Sequence, residues 1–385
     1  MSSMTEARIG VQTGAAAAGP ALEPTYEGDF VLDGPLALDC GRALLSPTLH
    51  YAAYGRLNSS RDNAVLVCHA LSGSAQVGAW WPEIFAPDGV LRLDRDFAIC
   101  VNLLGSCYGS TGPASVDPET DETYGPDFPL ISIRDNVRAQ ARLLDSLGIH
   151  RLRLVLGGSI GGMQALDWAT LYPERVERAA IIGVAPLSAM GLALNHLQRQ
   201  AICNDPDWAG GRYLPQRPPR QGLALARQIA MLSYKSATLF EERFGRRPNR
   251  SNPRAASPGS AGEDPWAKDG ALIGGRFDIA GYLDYQGKRF IDRFDANAYL
   301  AILRTMETWD PLRVQSAAEA FSGIRARLIF VGISSDWLFP PDSVREFAQA
   351  IRSAGVAADY REMASTHGHD AFLAEQAELA RLLQY

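Results

Sequence analysis

Five short apolar runs recur along the chain, and they restrict the fold more than any other feature. They are "AVLVCHA" (64–70), "DFAICVN" (96–102), "RLRLVLG" (151–157), "RAAIIGV" (178–184) and "ARLIFVG" (326–332). Runs so rich in Val, Ile, Leu and Phe suit strands covered on both faces, as in a parallel sheet. Helical stretches separate them. "IRDNVRAQARLLDSLGI" (133–149) carries apolar residues at helical spacing and ends beside a glycine. Repeated alternation of strand and helix predicts an α/β fold with a mostly parallel central sheet flanked by helices.

One stretch breaks the alternation. Residues 185–310 hold helical patterns such as "GLALARQIAMLSYKSATLFEERFG" but no buried parallel strand. They read as a helical lid insertion, with a Pro/Gly/Ser-rich loop near 245–270, within a core domain formed by 26–184 and 311–385. Insertions of this kind cap sites at the carboxyl ends of sheet strands. Residues 1–25 include an alanine run without a basic start or a strongly apolar core, and read as a flexible tail, not a signal peptide.

Composition narrows the function classes. Hydrophobic residues make up 46% and charged residues 21%, a soluble globular balance. A formal net charge of −6 and a pI near 5.6 argue against a general nucleic-acid binder. No segment approaches a membrane span of roughly 18 apolar residues. The five cysteines are odd in number and lack a CxxC pair, so a reducing, cytoplasmic setting fits better than a disulfide framework or a zinc site.

The chemistry enters at "GGSIG" (157–161). Gly157, Ser159 and Gly161 form a G-x-S-x-G pattern between the strand "RLRLVL" and the helical "GGMQALDWATLYPERV". Glycine weakens a strand, so the pattern is either a tight turn or a nucleophile elbow holding the Ser159 hydroxyl above the sheet. A serine nucleophile needs a base, and the base needs an orienting acid, in the chain order Ser, Asp or Glu, His. Asp336 stands just past a late apolar strand in "RLIFVGISSDWLFP". His369 stands at the entrance to the last helix in "STHGHDAFL", with His367 competing for the role. Taken alone, Asp336 could equally be a turn former or helix cap. Oxyanion donors in this fold are the amide after the nucleophile, Ile160, and one in an early strand–helix loop, Leu71 of "HALSGS" (69–74).

Beyond the elbow, the chain resembles the homoserine O-acyltransferases of the α/β-hydrolase fold. The resemblance is carried by "HALSGSAQVGAWWPE" (69–83), "NLLGSCYGSTGPAS" (102–115), "FPLISIRDNVRAQ" (128–140) and "GGSIGGMQALDWA" (157–169). It continues through "GLALARQIAMLSYKS" (222–236), "YLDYQGKRFIDRFDANAYL" (282–300) and "GHDAFL" (368–373). These run in order from about residue 25 to the C-terminus. The resemblance implies Ser159 as nucleophile, Asp336 as orienting acid and His369, over His367, as base. It also implies that Arg227 takes the acceptor's carboxylate, with Tyr234 and Asp370 in the same pocket, where the residues alone read as an exposed helical Arg227 and an N-capping Asp370.

The resemblance further implies ping-pong transfer of an acyl group, acetyl by preference, from acyl-CoA to L-homoserine in methionine biosynthesis. No metal or redox cofactor is needed, acyl-CoA being a co-substrate. A cytoplasmic homodimer formed through the helical insertion is expected. The alternatives are succinyl-CoA as donor, L-serine as acceptor, an esterase or thioesterase using the same triad, or a non-catalytic binding module. Three departures from the family pattern are Ser106 in place of glycine, Glu307 in place of aspartate, and a longer loop at 245–270.

Overall fold

The computed structural model describes residues 22–247 and 277–384. Most of the expected N-terminal tail and of the 245–270 loop lies outside the described residues.

The apolar runs become the strands β3 (Ala64–Cys68), β4 (Phe97–Val101), β5 (Leu154–Gly158), β6 (Arg178–Ile182) and β7 (Arg327–Ile333). Three strands without that signature join them: β1 (Tyr26–Val31), β2 (Thr48–Gly55) and β8 (Ala358–Met363). All eight form one sheet in the order β1-β2-β4-β3-β5-β6-β7-β8. β1 and β2 pair antiparallel to each other, and β2 to β4, while the remaining neighbours are parallel.

The continuous apolar runs have a simple cause. Along β3, Ala64, Leu66 and Cys68 enter one hydrophobic cluster, and Val65 and Val67 enter the other. Successive strand residues point to opposite faces, so a sheet covered on both sides requires apolar residues at every position. The first face is covered by α1 (Ile133–Ser146), α2 (Ile160–Leu171) and α7 (Pro341–Ser353), the second by α8 (Gln376–Leu383) together with Trp81 and Ile84. α1 begins with a capping box. Ser132 Oγ accepts the Asp135 amide at 3.0 Å, and the Asp135 carboxylate accepts the Ser132 amide at 2.8 Å.

Between β6 and β7 no strand of this sheet occurs among the described residues. The chain instead forms α3 (Ala189–Cys203), α4 (Arg220–Tyr234), α5 (Asp278–Ile291) and α6 (Ala296–Thr308). α3 and α4 close tightly where Gly222 meets Ile202: a Cβ on Gly222 would come 2.5 Å from the Ala201 carbonyl oxygen. Leu223, Ala226, Phe290 and Tyr299 join these helices to the first hydrophobic cluster, so their position over the sheet is fixed by apolar burial.

Candidate active site

The sequence-derived residues converge at the carboxyl ends of the parallel strands. β6 lies between β5 and β7, with Ile182 paired to Gly158 on one side and Val331 on the other. β3 lies beside β5, with Cys68 paired to Gly157. Leu71, Ser159, Asp336 and His369 therefore leave the same end of β3, β5, β7 and β8 (the crevice that open α/β sheets offer to ligands).

Ser159 has φ +58° and ψ −131°, a conformation L-residues avoid. Its amide donates to the Ile182 carbonyl at 2.9 Å. The elbow closes only because its neighbours lack side chains. A Cβ on Gly161 would fall 2.1 Å from the Cys68 carbonyl oxygen, and one on Gly157 would fall 2.5 Å from the Gly161 carbonyl carbon. Strain at a serine held this way is the signature of a projected hydroxyl, not of an ordinary turn.

Of the two competing histidines, His369 is the one brought to the acid. Its Nδ1 lies 2.6 Å from Asp336 Oδ2, and since a carboxylate only accepts, Nδ1 carries the proton. The other oxygen, Asp336 Oδ1, accepts the amides of Leu338 and Phe339, each at 2.9 Å. The acid is thus locked in orientation, both residues are buried, and His369 Nε2 is left without a hydrogen-bond partner. Gly183, next to the carbonyl that holds Ser159, backs the imidazole: a Cβ there would lie 3.2 Å from His369 Cε1. His367 instead bonds Glu375 at 2.6 Å. Burial alone would lower the His369 pKa, but the charge and hydrogen bond of Asp336 outweigh it. Asp370 adds to the rise and Lys235 opposes it, and the net shift is upward.

The oxyanion candidates are built by a residue that the sequence reading passed over. His69, fully buried, directs Nδ1 to the Ala70 carbonyl at 2.8 Å and receives the Leu103 amide on Nε2 at 3.2 Å. Accepting on Nε2 fixes the neutral tautomer, and burial pushes the imidazole pKa down to about 4. In a trans peptide the C=O and the following N–H point in opposite directions. Pinning the Ala70 oxygen toward His69 therefore turns the Leu71 N–H away from it. Among the described residues neither the Leu71 nor the Ile160 amide has a hydrogen-bond partner. The only hint in the sequence was a histidine directly after an apolar strand.

Arg227, on α4, stacks over Phe290 at 4.9 Å and over Tyr234 at 5.6 Å, and its buried Nη1 has no hydrogen-bond partner. The Tyr234 ring stands 6.1 Å from His369, and burial raises its pKa. The exposed-arginine alternative for Arg227 does not hold. Asp370 is half-buried and pairs with Lys235 Nζ at 2.9 Å. Its side chain caps no helix. Cys107, also in the vicinity, has its thiol pKa pushed up to about 11 by burial, which leaves it a poor nucleophile. Of the departures, Glu307 receives Arg199 at 2.6 Å, tying α3 to α6, and Ser106 Oγ is buried without a partner. Among the described residues no group of three or more His, Cys, Asp or Glu could hold a metal ion, and no helix is long and apolar enough to cross a membrane.

Comparison with known proteins gives the fold and the family. A family model for the alpha/beta hydrolase fold matches residues 63–376. The homoserine O-acetyltransferase of Symbiobacterium thermophilum is 44% identical over 353 residues, covering 89% of this chain and 88% of that protein. The homoserine O-succinyltransferase of Alkalilimnicola ehrlichii is 42% identical over 363 residues, covering 89% of each. The crystal structure of homoserine O-acetyltransferase from Bacillus anthracis superposes with a TM-score of 0.81 over 94% of this chain and 99% of that one, at 24% identity, a likeness of fold. The chain belongs to the homoserine O-acyltransferase family of the α/β-hydrolase fold.

Proposed function

We propose that this protein moves an acyl group, acetyl in our reading, from acyl-CoA to the side-chain hydroxyl of L-homoserine, as a step of methionine biosynthesis. The observation that carries the proposal is the buried, unpartnered Nη1 of Arg227, whose guanidinium stacks on Tyr234, the ring that stands 6.1 Å from His369. A simple esterase or thioesterase gains nothing from a guanidinium nitrogen buried in its pocket without a partner. An amino-acid acceptor supplies the carboxylate that such a guanidinium lacks. The relatives support homoserine as that acceptor, and their names divide between acetyl and succinyl donors.

In the first half-reaction, the Ser159 hydroxyl gives its proton to His369 Nε2 as Oγ bonds to the thioester carbonyl carbon. The carbonyl oxygen gains the negative charge, which the amides of Leu71 and Ile160 stabilise. The C–S bond then breaks, the proton passes from His369 to the departing thiolate, and an acyl-serine remains. Homoserine enters with its carboxylate on Arg227 and its ammonium toward Asp370. Its hydroxyl gives a proton to His369, attacks the acyl carbon and leaves as the ester, and the proton returns to Ser159. Asp336 keeps the imidazole in the required tautomer and stabilises its cationic form. In this reading α3–α6 act as a lid that limits water, because hydrolysis of the acyl-serine would waste it.

The same reading includes a cytoplasmic homodimer formed through α3 and α4. Met190 and Leu197 on α3, and Leu225 and Leu232 on α4, repeat at seven-residue spacing and are between 41% and 58% exposed. Such an apolar ridge suits a self-complementary interface. The test of function is thiol release from acetyl-CoA and succinyl-CoA, each with homoserine, serine or no acceptor. Homoserine-dependent release with one donor is expected. Serine dependence would change the acceptor, and equal release without any acceptor would make the protein a thioesterase.

A further inference from the structure

The subsite assigned to the acceptor's ammonium already contains an ammonium. Lys235 Nζ lies 2.9 Å from Asp370 Oδ2, with the two side chains only 15% and 21% exposed. The lysine backbone is fixed to the loops that carry Asp336 and His369. Its carbonyl accepts the Trp337 indole N–H at 3.0 Å, and the next residue, Ser236, donates its hydroxyl to the Thr366 carbonyl. Gly368, at φ +71°, packs so closely that a Cβ there would lie 2.9 Å from Lys235 Cα. The Nζ, in contrast, ends a flexible four-carbon stem and can leave without disturbing that backbone.

The charges around the site point to what the pair does. His369 feels Asp336, Asp370 and Lys235, and it packs against Gly183 and the Tyr234, Phe339 and Phe372 rings. Arg227 acts on the same pocket, since both it and Asp370 bear on Tyr234. Asp370 therefore meets Lys235 in direct contact and Arg227 at longer range, and Arg243 bears on the same pocket through Tyr282. An acceptor zwitterion brings one charge of each sign. Arg227 has an open Nη1 for the carboxylate, whereas Asp370 is already paired.

We propose that Lys235 is a resident substitute for the acceptor's ammonium, and that the acceptor binds by replacing Lys235 on Asp370. This rests on the reading of Asp370 as the ammonium subsite. Acceptor affinity then reflects the difference between two ion pairs, not the full strength of one. Only a molecule that presents an ammonium at Asp370 and a carboxylate at Arg227 makes the exchange favourable. During acyl-enzyme formation, Lys235 also keeps a second uncompensated carboxylate from standing beside the base.

Lys235→Met in the full-length enzyme tests the exchange. The homoserine KM should fall by about tenfold as the competing cation is removed. The Ki of 4-hydroxybutyrate, which lacks the ammonium, should not fall, so discrimination between the two widens. The acid limb of acyl-enzyme formation should move to higher pH, because the cation opposing Asp336 and Asp370 at His369 is gone. Lys235→Arg, which keeps the charge and grips Asp370 with a fork of donors, should raise the homoserine KM, and it serves if the Met variant fails to fold. A lost melting temperature with neither the ratio nor the limb changed would make the pair purely structural and overturn the proposal, as would a raised KM in Lys235→Met. If Asp370→Asn leaves the homoserine KM unchanged, the subsite assignment itself has failed, which is a separate result.

Discussion

Replacement of His69 separates aim from stability at the oxyanion site. The imidazole makes two bonds with different consequences: Nδ1 donates to the Ala70 carbonyl at 2.8 Å, and Nε2 accepts the Leu103 amide at 3.2 Å. The first aims the Leu71 N–H, and the second only satisfies a buried donor. Deleting a full oxyanion donor costs about 10²–10³ in rate. Here the donor remains but loses one of two restraints, since the Gly73 amide also reaches the Ala70 oxygen at 2.8 Å. A loss of about 10²-fold in acyl-enzyme formation is therefore expected when the Nδ1 contact is removed. Leaving the Leu103 amide unsatisfied should cost about 1–3 kcal/mol of stability.

The amide variants divide the two effects. The shorter asparagine side chain can set a donor near the Nδ1 position but does not reach Leu103, so His69→Asn should lose stability and keep most of the rate. The longer glutamine side chain can reach Leu103 but offers nothing at Nδ1, so His69→Gln should keep stability and lose rate. The assay is first-turnover thiol release at saturating acyl-CoA, alongside urea denaturation. A wild-type rate in His69→Gln, or a rate that simply follows stability across both variants, would refute the reasoning.

Two further outcomes follow from buried carboxyl groups. Asp336→Asn removes the main cause of the raised His369 pKa, so the acid limb should move to lower pH while the rate falls by about 10³–10⁴-fold; an unmoved limb would detach Asp336 from the base. Asp167 is buried against the Trp309 indole N–H at 3.2 Å, and burial pushes its pKa up to about 7. Between its unfolded value of 3.8 and about 7, the folded chain holds a proton that the unfolded chain has released, so stability falls as pH rises, by roughly 4 kcal/mol in all. Asp167→Asn retains an acceptor for Trp309 and should be stabilised relative to wild type, more near pH 8 than near pH 5; equal gaps at the two pH values would contradict the buried-acid account.

What the sequence made legible follows physical lines. The strands β3–β7 announced themselves because burial on both faces demands unbroken apolar runs. β1, "YEGDFV", and β8, "ADYREM", did not, because they lie at the sheet edges and mix polar with apolar residues. The antiparallel pairing of β1 and β2 left no mark that a single strand could carry. Ser159 was legible because steric demands at an elbow dictate glycines at fixed offsets. His69 and Lys235 were not, since their meaning lies in which atom each ring nitrogen or ammonium reaches. Arg227 read as an exposed helical residue from its sequence setting alone; only the stacking of Phe290 and Tyr234 around it, with Nη1 buried, shows that it faces the pocket.

The central claim is that Ser159 carries the acyl group between donor and homoserine. Intact-protein and peptide mass spectrometry of enzyme quenched after exposure to acyl-CoA alone, then after a homoserine chase, tests it directly. The account predicts one acyl group on the peptide containing Ser159, absent in Ser159→Ala and cleared by homoserine with formation of O-acylhomoserine. An adduct on Cys107, or one that homoserine does not discharge, would contradict it.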